Sequence, residues 1–138
     1  MITVETTKTL QSLTKLISSK EKAVNRALKV SAMEYALFMK ESITRHQSSG
    51  REYRRRTVVH KASAPGYAPN SDTGFLASSI TVSRRIRNST IEVIVGARYA
   101  RALEFGTKKM RKRPFVLPAR QALAFKIGNR IREAMNAS

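Results

Sequence analysis

The chain has no cysteine among its 138 residues, so disulfide frameworks and thiolate metal sites are excluded. It has two histidines, His46 and His60, and neither has a carboxylate or second ligand at useful spacing. A structural metal site needs about four ligands, so no metal or other cofactor is expected. Acidic residues are scarce: nine Asp and Glu stand against 27 Lys and Arg, for a formal net charge of +18. No apolar run approaches the length of a membrane span. The opening MITVETTKTL lacks the basic start and continuous apolar stretch of a secretory signal. A soluble, unexported protein is therefore expected, with no membrane partner.

The 41% apolar content is enough for one modest core, and a single domain over residues 1–138 is expected. Leu10, Leu13, Leu16 and Ile17 recur at helical spacing and predict a short helix over Thr7–Ile17. Ser18 and Ser19 follow, and Ser18 with Glu21 matches a capping box, so a second helix is expected to begin there. Along it Val24, Leu28, Ala32, Tyr35, Met39 and Ile43 form one apolar stripe, which is expected to face a sheet. From Arg45 to Asn70 the rhythm fades into a basic stretch rich in Ser, Gly and Pro. It is expected to be a flexible loop that orders on assembly, with a short strand at Thr57–Val59.

Asp72 and Thr73 can cap a helical turn over 74–79. Ile80, Val82 and Ile86, then Ile91, Val93 and Val95, predict an antiparallel hairpin that turns at Asn88–Ser89. Pro118 sits in the first turn of a last helix with a stripe of Ala119, Leu123, Ile127, Ile131 and Met135. The expected fold is α+β: a small antiparallel sheet packed against a long N-terminal helix and a C-terminal helix, with a long basic loop.

Catalytic patterns are hard to find. Asp72, Glu92 and Glu104 are the mid-chain acids, but no lysine follows either glutamate at two positions. No phosphate loop or nucleophile elbow is present. A metal-dependent nuclease therefore ranks last, and Glu104 reads as a carboxylate paired with an arginine or capping a turn. The basic residues gather in three clusters: Arg51, Arg54, Arg55, Arg56 and Lys61; Arg84, Arg85 and Arg87; and Lys108, Lys109, Arg111, Lys112 and Arg113. They read either as solvated faces or as non-specific contacts to the DNA backbone. Free-standing DNA binding through these loops is the second functional reading.

Three segments recur in order: APGYAPNSDTGFLASSI from Ala64, IEVIVGARYARALEFGT from Ile91, and RPFVLPA from Arg113. Together they resemble the tail-completion, or head-tail joining and neck, proteins of long-tailed bacteriophages, over roughly half the chain. The resemblance implies a structural virion protein and no enzyme. It would form a ring, of six subunits by expectation, at the head-proximal end of the tail and let DNA pass. Its partners would be other copies of itself, the tail tube protein and the head-closure or connector protein. Its place would be the virion neck, reached through assembly in the host cytoplasm.

Carried over by residue, the signatures are Asp72, Thr73, Gly74, Leu76, Ser79 and Ile80; Gly96, Tyr99, Ala100, Glu104, Phe105, Gly106 and Thr107; and Arg113, Pro114, Phe115, Pro118 and Ala119. The glycines at 74, 96 and 106 are expected to permit turns, and Tyr99, Phe105 and Phe115 to act as apolar anchors. Glu104 and Arg113 have charges suited to a bridge within or between subunits.

Overall fold

The computed structural model of the protein describes residues 3–45, 52–61, 65–69 and 74–137. Helix α1 runs without interruption over Thr3–Thr44. The expected break at Ser18–Ser19 does not occur, and the capping box there is not used. The physical reason lies in the composition of the segment, which has neither glycine nor proline over 3–44. Two mid-helix serines cost only some tenths of a kcal/mol each relative to alanine, far less than a helix start costs in orphaned amides.

Strands β1 (Glu52–Arg55) and β2 (Val58–Lys61) pair antiparallel, with Arg54 opposite Val59. The strand expected near Thr57–Val59 is thus present one residue later, and it pairs with β1, a strand for which the apolar pattern carries no signal. A short α2 (Phe75–Ser78) takes the place of the helical turn expected before the main hairpin. Strands β3 (Ile80–Val82) and β4 (Val93–Val95) then pair antiparallel, Thr81 opposite Ile94.

Beyond Val82 the ladder is irregular. The Ser83 Oγ accepts from the Glu92 amide at 3.1 Å and donates to the Arg85 carbonyl at 3.3 Å. This side chain takes over bonds that a longer strand would make, so Ile86 and Ile91 fall outside the strands expected to include them. The tip is a two-residue turn with positive φ at Asn88 (49°) and Ser89 (55°), closed by an Arg87–Thr90 bridge. Such doubly left-handed turns match the twist of the flanking strands.

Helix α3 (Ala100–Phe105) and the long α4 (Val116–Asn136) complete the fold. The core lies where the second half of α1 meets α2, β3, α3 and the start of α4. Met39, Ile43, Ile80 and Phe115 are its largest fully buried side chains. Toward its middle the α1 stripe faces α4 more than the sheet, and the small Ala27, Ser31 and Ala32 are buried there along with Leu123. The outer end of the α4 stripe is not core: Met135 is exposed.

One clamp holds the two long helices together. Glu34 on α1 accepts from Arg130 at 2.6 Å and pairs with Lys126, while Arg130 also donates to the buried Ser31 hydroxyl at 3.0 Å. Farther out, the Lys20 ammonium donates to the Ala137 carbonyl, which marks where α4 ends beside α1. The preceding 17 residues of α1, 3–19, therefore extend about 25 Å beyond the end of α4 at 1.5 Å per residue. Every described side chain from 7 to 19 is exposed, Leu10, Leu13, Leu16 and Ile17 included.

Candidate functional site

The sequence signatures converge at the foot of α4. Glu104, near the end of α3, aims its carboxylate at the start of α4. Its Oε2 accepts from the amides of Phe115 (2.8 Å) and Val116 (2.9 Å), and its Oε1 from that of Leu117 (2.9 Å). A helix begins with amides that lack intrahelical partners and with the positive end of its dipole. One carboxylate from a distant segment meets three of those donors, while the local N-cap residue, Phe115, supplies no side-chain bond.

Tyr35 of α1 adds a second tether, its hydroxyl donating to the Val116 carbonyl at 2.9 Å. Burial, with the nearby Glu104 charge as a smaller cause, pushes the Tyr35 phenol above its ordinary value, so it remains a donor at neutral pH.

Glu104 therefore caps a helix, one of the two roles read for it. The bridge to Arg113 does not form within the chain: among the described residues the ion pairs are those of Glu34. Arg113 instead donates its backbone amide to the Leu103 carbonyl at 2.6 Å, and its buried Nε has no partner among the described residues.

The glycines divide. Gly106 has φ +76°, and a Cβ there would stand 2.9 Å from the Lys112 nitrogen and 3.0 Å from the Met110 oxygen, so both conformation and space require glycine. Gly74, at φ +77°, precedes α2. Gly96 does not have a positive φ, and an added Cβ would meet Ser79 at an ordinary 3.5 Å. The turn-forming role expected for Gly96 is thus corrected: it is a strand-end residue whose amide bonds the Ser79 carbonyl at 3.0 Å.

Leu76, Ile80, Ala100, Phe115 and Ala119 are buried in the core. Ser79 donates its hydroxyl to the Leu76 carbonyl at 2.7 Å, and Thr107 Oγ1 accepts from the Lys109 and Met110 amides at 3.3 and 3.1 Å. Pro114 lines the pocket described below, and Pro118 lies exposed in the first turn of α4. Of the three expected aromatic anchors only Phe115 is interior. Tyr99 is half exposed against Phe75, ring centroids 6.4 Å apart, and Phe105 is 74% exposed. Phe105 with Pro114, Leu117 and Val95 lines an open apolar pocket of about 580 Å³, rimmed by Arg101, Lys112 and Arg120.

Of the basic clusters, Arg84, Arg85 and Arg87 are exposed around a shallow bowl at the tip of the β3–β4 hairpin. Lys108, Lys109, Arg111 and Lys112 are exposed on the loop after α3, which Thr107 staples. Arg54 and Arg56 are exposed on the β1–β2 hairpin. Arg55, Lys61 and His60 fall in its strands with side chains outside the described residues, and Arg51, His46, Asp72 and Thr73 lie outside them altogether. Among the described residues no cluster of His, Asp or Glu could hold a metal ion, and no helix is long and apolar enough to cross a membrane.

The convergence extends to the Pro-Gly segment, where the Gly66 amide donates to the Lys112 carbonyl at 3.0 Å. The three signatures thus form one structural unit. The capping role of Glu104 had only a weak signal in the sequence, a lone acid in a basic region. Nothing marked Tyr35 as its companion. Compared with known proteins, the chain matches the model of the HK97-gp10-like family, described as "Bacteriophage HK97-gp10, putative tail-component", over residues 5–106. No curated protein and no solved structure matches it.

Proposed function

The chain belongs to the HK97-gp10-like family of bacteriophage tail components, and from that premise we propose that it is the subunit of a ring at the head-proximal end of the tail. The ring, of six copies in this reading, completes the tail, joins it to the connector and lets DNA pass. Its neighbours are the tail tube protein below and the head-closure protein above. It works in the virion neck, through assembly and not through catalysis.

The observation that carries this reading is the work assigned to the signature residues. Glu104 caps a helix, Gly106 and Thr107 shape a loop, and Phe115 and Ala119 fill the core. Such residues build a rigid body, and around it stand large apolar groups in solvent: Phe105, Leu117 and Phe125, and the leucines of the α1 arm. Apolar surface left exposed on this scale marks contact with other proteins.

Deleting the gene from the parent phage and imaging the lysate tests the proposal. DNA-filled heads beside separate tails are expected. Intact, joined virions would refute the joining role.

A further inference from the structure

The described residues form two antiparallel ribbons of two strands each, and the ribbons share no strand. A lone two-stranded ribbon is marginal in water and gains stability from further strands or from packing. The β3–β4 ribbon packs on the core through Ile80, with Val82, Val93 and Val95 against it. Among the described residues no further strand pairs with its β3 edge. The Ser83 amide bonds Glu92 and the Gly96 amide bonds Ser79, so the main-chain groups of Ser79 and Ser83 face β4. Antiparallel alternation turns those of Thr81 the same way, and those of Ile80 and Val82 outward to the open edge.

Beside that edge runs an open groove of about 510 Å³, with Met33, Ala36 and Leu37 of α1 on one side and Ile80 and Val82 on the other. Met33 is 64% exposed and Leu37 55%. An open strand edge over an apolar floor is a site for one more strand.

The β1–β2 ribbon has the opposite character. Among the described residues its strands contact each other and make no extended contact with the helices or the other sheet. Its described side chains, Glu52, Arg54, Arg56, Thr57 and Val59, are all exposed.

We propose that the β1–β2 hairpin of one copy docks on the open β3 edge of the next copy, above Met33 and Leu37, to form a four-stranded sheet between subunits. This inference rests on the ring reading and names the contact that closes it. The two surfaces are different, so the contact is head-to-tail and can repeat around a ring.

A second copy is the occupant because its own β1–β2 ribbon has no extended packing among the described residues and, although two copies share the same net +18, local charge fits it at one end of the groove. Glu41 lies exposed one turn beyond Leu37 on α1, and the hairpin brings Arg54 and Arg56. Area sets the strength. A ten-residue hairpin covers well under the roughly 800 Å² per partner of a standard interface. One contact alone is therefore weak, and closure, in which each subunit uses both surfaces, favours complete rings over free dimers.

The absence of cysteine makes the test clean. The double variants Val59→Cys with Thr81→Cys, and Arg54→Cys with Thr81→Cys, change only exposed positions. Each is oxidised as the full chain, with native mass spectrometry run in parallel to read assembly. The expected result is a ladder of disulfide-linked species in multiples of 15.5 kDa that ends at the ring mass. Adding Leu37→Lys should abolish the ladder while circular dichroism and the melting midpoint stay unchanged.

Rings without interchain disulfides from either pair would overturn the hairpin contact and leave the ring reading standing. Disulfides confined to single chains would place the hairpin on its own sheet and overturn it as well. A protein that remains monomeric at every concentration, alone and with isolated tails, would overturn both.

Discussion

Glu104 shows how much a single side chain can organise. Three amides at the start of α4 converge on its two oxygens, and each charge-assisted bond replaces a donor otherwise left without a partner. Losing a capping side chain typically costs about 0.5–2 kcal/mol, and leaving half-buried donors unpaired adds to that. Glu104→Ala is expected to lower unfolding stability by about 2 kcal/mol, and Glu104→Gln, which retains one acceptor oxygen without the charge, by about half as much. Urea denaturation followed by circular dichroism reads both. Equal losses for the two variants would mean that packing, not the carboxylate, holds this junction. Arg113, its expected partner, turned out to contribute through its backbone, and that could not be read from complementary charges alone.

Among the elements, α1 and α4 meet along a seam of small residues held by the Glu34 clamp. The hydrogen bond from Lys126, then that from Arg130, hold the Glu34 carboxyl below its ordinary value of 4.5. A carboxylate depressed in the folded state adds stability above its unfolded value, and that stability is lost as pH falls through the folded value. The clamp should therefore be intact at neutral pH and weaken on acidification below 4.5. Because the group is only half-buried and Lys126 beside it is exposed, the effect is small and screened by salt. Melting midpoints of the native chain and of Glu34→Gln should differ at pH 7 and converge at low pH. A constant difference across that range would assign the effect to packing of the side chain.

For the whole molecule the dominant property is charge. A net +18 on a small body gives a field that attracts polyanions, and the exposed groups at the β3–β4 tip and on the loop after α3 present much of it. The isolated protein is expected to bind duplex DNA without sequence preference. The logarithm of its affinity should fall linearly with the logarithm of salt, with a slope of about 0.9 per phosphate contacted. Reversing Arg84, Arg85 and Arg87 to Glu together should flatten that slope, as fluorescence anisotropy at several salt concentrations would read. An unchanged slope would direct this basic surface to acidic proteins instead.

Local signals carried far along this chain. The 3.6-residue stripe through Met39 and Ile43, the alternation at Val93 and Val95, the Asn88–Ser89 turn and the proline at the head of the last helix are all visible in the order of residues. Each reports a short-range preference of the backbone or of one face, and each appears in the fold. The continuity of α1 is hidden in the sequence because Ser18 and Ser19 resemble a cap, although no long-range packing is needed to override so small a penalty.

Other features exist only in three dimensions. Glu104 reaches amides 11 to 13 residues away, Tyr35 a carbonyl 81 residues away, and Arg130 a serine 99 residues away. Partners so distant are chosen by how helices and sheet come together, and no periodicity records them. The exposure of Phe105 and of the α1 leucines is of the same kind. Apolar spacing states which side of a helix prefers burial, but only the length of its neighbour decides where that burial stops.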